Sequence, residues 1–217
     1  MTDPNKQFLD ALIQLFNKVV HTPAFPDSMK DSEVDVDGWV AWKPIPGSLQ
    51  RSDYAALEQR FGVQYPGSFI DWHRSYYFMD ADCTILRLPY SNPNEPLREL
   101  EERLDWYIGE KLVAQKIYPF GDDGNDAGPL VFDARTAVAG NEFPIRAYDH
   151  EFGGDLKGLT PILFSSFPKL LECMTYYLQE KMRLHDYEII PEFFRIDPDG
   201  AGNTGVDYWM GFAGMPG

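Results

Sequence analysis

Cysteine is scarce in this sequence, basic residues are outnumbered, and no apolar run is long. The two cysteines, Cys83 and Cys173, stand far apart and neither belongs to a CxxC pair. That spacing excludes zinc ribbons and thioredoxin-like redox motifs. Two reduced, buried thiols are the expected state, as in a cytoplasmic protein. No apolar stretch approaches the roughly 20 residues that a membrane-spanning helix needs. The start, Met1-Thr2-Asp3, carries neither the basic stretch nor the apolar core of a secretory leader. A soluble protein without a membrane partner is expected. Also missing are GxxxxGK[ST], HExxH and GxSxG, and with them the usual signatures of P-loop nucleotide binding, zinc proteolysis and serine hydrolysis.

Lys and Arg number 19 against 34 Asp and Glu, a formal charge of -15. A nucleic-acid partner is thereby disfavoured, because gripping phosphates takes clusters of Lys and Arg. The same charge keeps a protein soluble, and it also attracts and speeds the capture of a basic protein. Hydrophobic residues make up 44% of the 217 positions and aromatics 15%, enough for a substantial core rich in large rings.

The most informative stretch is 39–78. Trp39 and Trp42 precede Pro44 and Pro46, a short extended lead-in. Ser52 is placed to cap a helix whose apolar face is Tyr54, Leu57 and Phe61, and Gly62 is placed to end it. Pro66 then opens a second helix with an aromatic face of Phe69, Trp72, Tyr76 and Tyr77. A sheet is expected beneath both. Before them, Asp3 and Pro4 begin a helix carrying Phe8, Leu9, Leu12, Ile13, Phe16 and Val19 to about Val20, followed by a linking loop over 21–37. After them come a strand at 83–88 and a helix over 97–112 with the inner stripe Leu97, Leu100, Leu104 and Ile108. The glycines and aspartates of 121–126 set between 117–120 and 129–133 mark a hairpin. A strand at 144–148, a loop over 149–158 and a helix from Ser165-Ser166 to about His185 complete the body. The tail mixes an aromatic run, the turn cluster Asp197-Pro198-Asp199-Gly200, and Trp209 among glycines.

Residue chemistry singles out no catalytic constellation, cofactor site or metal site. Asp122, Asp123 and Asp126 lack the alternation and the twelfth-position Glu of a calcium loop and read as hairpin turn residues. His21, His73, His150 and His185 lack ligand spacing. The carboxylates are numerous, but none stands out as an acid–base pair. Trp39, Trp42, Trp72 and Trp106 are expected in the core.

The order of motifs is familiar all the same. Trp42 and Pro44, Leu57-Glu58 before Phe61-Gly62, and Tyr65-Pro66 leading to Phe69 and Trp72 are followed by Pro119-Phe120-Gly121-Asp122-Asp123-Gly124 and Asp133. Tyr148-Asp149-His150-Glu151 and Ser166-Phe167 with Leu170-Leu171 close the set. Over 39–178 this series resembles the SUKH superfamily, which groups fungal cell-wall-synthesis regulators with many bacterial immunity proteins. The resemblance implies an α+β domain with a twisted sheet flanked by helices. It also implies action by binding, with no catalytic residues to carry over. The 97–112 helix and the tail after Tyr187 look like additions to the pattern.

The expectation is therefore one α+β domain, its twisted sheet mostly antiparallel or mixed and flanked by helices. Its parts are an N-terminal helix and linking loop (1–38), a SUKH-like domain (39–186) and a C-terminal extension (187–217). The expected function is non-catalytic: an immunity protein whose acidic surface neutralises a basic toxin domain, for instance a nuclease. A regulatory scaffold binding an endogenous protein is the alternative. The contact residues expected are the loop acids Asp122, Asp123, Asp126 and Asp155, with Trp209 as an aromatic anchor. Oligomeric state is left open.

Overall fold

The computed structural model describes residues 3–136 and 138–214. Outside them lie 1–2, at the start of the expected N-terminal segment, Ala137, and 215–217, the end of the expected extension.

The first helix, α1 (Pro4–Leu15), starts as its sequence demands, with the Asp3 carboxylate accepting from Asn5 N–H and proline at the first position. It stops at Leu15 rather than near Val20. The β-branched pair Val19-Val20 is extended instead, forming β1 (Lys18–Val20) antiparallel to β2 (Trp39–Ala41). Phe8, Leu9 and Leu12 are buried where α1 packs on α6 (Phe167–Glu180). The N-terminal segment is thus tied to the body twice, through β2 and through α6.

β3 (Ile45–Pro46) pairs with β4 (Tyr76–Tyr77), bracketing α2 (Arg51–Phe61) and α3 (Gly67–His73). The cap of α2 is shifted from the expected one: Ser52 lies inside the helix, and Asp53 reaches back to the Gln50 N–H at 2.8 Å. Gly62 ends it at φ 69°, the left-handed conformation glycine adopts without strain.

The main sheet has the order β5-β6-β7-β8, with every pair antiparallel. Its strands are β5 (Leu86–Arg87), β6 (Ile117–Asp123), β7 (Pro129–Asp133) and β8 (Ile145–Ala147). β5 is shorter than 83–88 because Thr84 turns at φ 67° and Cys83 N–H bonds back to Leu86 O. The hairpin is present, but β6 runs three residues further than read. A bulge between Pro119 and Gly121 re-registers the strand, so Gly121 and Asp122 pair with Leu130 and Pro129.

Helices cover the sheet, and the chain is α+β. Phe69 of α3 lies edge-on to Phe120 and Phe132, which stack on each other at 4.0 Å, and it also meets Phe167 of α6. The expected sheet under α3 is this aromatic contact. The long helix over 97–112 is two: α4 (Arg98–Asp105) and α5 (Tyr107–Val113), parted at Trp106 with ψ 140°. The helix expected to reach His185 ends at Glu180. The tail adds α7 (Asp186–Ile196) and α8 (Val206–Phe212), placing Ile189, Ile190, Phe193 and Trp209 in the core.

Candidate protein-binding site

Three segments converge at one end of the main hairpin: the α4–α5 junction, the β6–β7 loop, and the two 3-10 turns between His150 and Gly158. His150 N–H bonds to Ala127 O, joining loop to turns, and Lys111 Nζ bonds to Gly153 O at 2.9 Å, joining α5 to turns. Large apolar side chains face solvent here. Trp106 is 42% exposed, Tyr107 63% and Phe152 46%.

Trp106 is outside because α4 and α5 fold tightly upon each other. The approach depends on Gly109: a Cβ there would lie 2.1 Å from the Arg103 carbonyl oxygen. Gly109→Ala therefore forces the helices apart and is expected to cost about 1–3 kcal/mol. Gly67→Ala, whose Cβ meets nothing within 4 Å, serves as the control in urea denaturation. Equal midpoints for the two variants would refute the tight junction.

Of the five residues read from the sequence, the fold brings three to this face. Asp122 and Asp126 line a cleft of about 360 Å³ together with Trp106 and His150. Asp155 is exposed on the neighbouring turn, its carboxylate accepting from Lys157 N–H. The other two are corrections. Asp123 is not a free loop acid but is 7% exposed, because the strand continues past the bulge and turns its side chain inward. There Oδ1 accepts from Ala127 and Gly128 N–H at 2.9 and 3.3 Å, holding the loop closed. Trp209 is not an anchor for a partner: it is 1% exposed, ringed by Phe164 and Phe193, with its indole N–H on Leu163 O. Two of the four tryptophans assigned to the core, Trp39 and Trp106, are instead 42% exposed.

The residues missed were Trp106, Tyr107 and Phe152. A signal for the first was present: Trp106 stands two places after Leu104, off the 97/100/104/108 stripe, where an aromatic points away from the buried face.

Electrostatically the face is short of cations. Arg103 serves two carboxylates, Asp122 at 2.6 Å and Glu99 at 4.0 Å. Burial nevertheless raises both carboxyls above their ordinary range. Arg103 opposes the shift in each, and Asp123 and Asp126 add to it at Asp122. Lys111 is held over the Tyr107 ring, 4.0 Å from its centroid. Asp126, Glu151 and Asp155 are exposed on the loop and the turns of the same end.

The two thiols sit elsewhere. Cys83 and Cys173 are free and buried, and burial pushes both thiols up, away from the reactive thiolate. Among the described residues no group of three or more His, Cys, Asp or Glu could hold a metal ion, and no helix is long and apolar enough to cross a membrane. No family model, curated protein or solved structure matches this chain.

Proposed function

We propose that this chain is a non-catalytic protein-binding module: a cytoplasmic immunity protein that neutralises a cognate toxin, a nuclease in the simplest case, by covering the toxin's basic face. The observation that carries this reading is the end of the hairpin, where three exposed aromatic side chains stand among carboxylates. Aromatic anchors ringed by polar groups are how protein interfaces concentrate their binding energy, and Trp and Tyr are the residues most often found there. A nuclease carries positive charge where it grips nucleic acid, and an acidic partner captures such a surface quickly. The net charge of -15 and the likeness of the ordered motifs to the SUKH superfamily support the same reading.

The test is affinity capture of the tagged protein from its native cells at low and high salt, beside a variant with Asp126→Lys, Glu151→Lys and Asp155→Lys. These three side chains are exposed, and because Asp155 also accepts from Lys157 N–H, circular dichroism and urea denaturation check that the variant is folded. The wild type is expected to retain a basic protein that salt releases. The variant is expected to bind it at least about tenfold more weakly, through a slower on-rate. Capture indifferent to both salt and charge reversal refutes the electrostatic mechanism. Capture of a housekeeping protein, with no protection of cells, refutes the immunity role.

A further inference from the structure

We infer that the cleft beside Trp106 receives a single arginine side chain of the partner, its guanidinium lying on the indole and hydrogen-bonded by Asp126. This deepens the binding reading above and rests on it. The cleft, about 360 Å³, is lined by Trp106, Asp122, Asp126 and His150 together with Pro119 and Pro129. Its occupant is set by charge and by donor–acceptor complementarity.

Arg103, the cation already in the wall, is committed to Asp122 and Glu99. Asp126 has no cation of its own among the described residues, and its backbone sits at φ 58° on the exposed loop tip. Its conformation is one that Asp tolerates better than most residues. The walls therefore offer mainly acceptors; Arg103 Nε, buried and without a hydrogen-bond partner, is the spare donor among them. The His150 ring is fixed at the cleft by its Nδ1, which faces the Ala127 carbonyl and donates to it. An aromatic face beside several acceptors is suited to a planar cation with many N–H groups. Guanidinium meets both demands, since it stacks on rings and presents five donors in a fixed fork. An ammonium group carries the charge without the planar stacking surface. Burial is the main reason the Asp122 carboxyl is raised, with the charges of Asp123 and Asp126 adding to it against Arg103 and Arg87.

The experiment titrates the ¹⁵N-labelled protein with acetyl-Gly-Arg-Gly-amide, and in parallel with the lysine and norleucine peptides. Spectra are read at the Trp106 indole N–H and the backbone amides of Asp126, Gly128 and His150. Saturable shifts confined to these signals are expected, with the arginine peptide binding about threefold or more tighter than the lysine one and norleucine giving none. Trp106→Ala and Asp126→Asn should each abolish saturation at the remaining amides while the rest of the spectrum is unchanged. The inference is overturned if shifts do not saturate, if they spread evenly over the surface acids, or if lysine binds as well as arginine. Failure here is distinguishable from failure of the binding reading. A basic partner captured equally by wild type and Trp106→Ala, with no peptide site, keeps the first and removes the cleft. Peptide binding without a captured partner does the reverse.

Discussion

Trp209→Ala is expected to lower the free energy of unfolding by about 3–5 kcal/mol, the range for emptying a large aromatic from a closed core. The indole fills the space between Phe164 and Phe193, with Tyr208 at 5.1 Å, and its N–H satisfies the Leu163 carbonyl at 3.2 Å. Truncation leaves a cavity and an unpaired buried acceptor together, so its cost exceeds packing alone. The damage reaches beyond α8. Leu163 and Phe164 both donate to Ile145 O, and Phe164 O accepts from Ile145 N–H, so the residues Trp209 steadies form a border to β8. Trp209→Phe, which keeps a ring but drops the donor, should cost appreciably less. Urea denaturation measures all three proteins. A Trp209→Ala variant as stable as wild type would mean that the tail is not part of the core and would return Trp209 to the surface.

The same residue shows where sequence reasoning stops. Aromatics among glycines at a chain end look like an exposed anchor, because nothing local records that Phe164 and Phe193 close over them. Features fixed by neighbours in sequence were readable: the Asp3-Pro4 helix start, the Gly62 stop, the hairpin between Ile117 and Asp133. Features fixed across the fold were not. The periodicity from Leu97 to Ile108 is continuous, yet the helix breaks at Trp106, and the close approach of Gly109 to the Arg103 carbonyl that accompanies the break appears only in three dimensions. The cap moved from Ser52 to Gln50 and Asp53 because several residues there are able to cap, and the sequence alone does not rank them.

That contrast explains the candidate site as well. Asp122, Asp126 and Asp155 were legible as acids between apolar runs, and topology gathered them to one face. Asp123 was indistinguishable from Asp122 in sequence. Alternation along β6 then turned one side chain toward Arg103 and the other into the loop amides. Trp106 and Tyr107 reached the face through the helix break, so the sequence pattern pointed to the charge and missed the exposed aromatics.

Acid is expected to destabilise the protein through one buried ring. His73 is fully buried among Phe69, Trp72 and Phe78, and its Nδ1 lies 2.6 Å from the Tyr54 hydroxyl. Loss of solvation brings its pKa down to about 4, although the Tyr90 backbone carbonyl beside the ring pulls the other way. An unfolded chain protonates the ring near its ordinary value of about 6.5. The neutral ring's contribution is therefore complete above that pH. It is lost as pH falls, because the unfolded state takes up the proton first, and the loss levels off below about 4. A difference of about 2.5 units corresponds to about 3 kcal/mol across the window. Other shifted acids act mostly lower. Burial works to raise Asp133, but Arg135 and Arg146 hold it below the ordinary carboxylate range, so its loss follows beneath the His73 window. Glu99 and Asp122, with raised carboxyls, act in the opposite direction and gain as acid protonates them. Unfolding free energies measured between pH 7.5 and 4.5 should show the fall in wild type. Replacing both partners, Tyr54→Phe with His73→Phe, leaves no buried group unpaired between them and should flatten the curve at little cost at pH 7.5. A double variant that declines with acid as steeply as the wild type would show that His73 is not the group responsible.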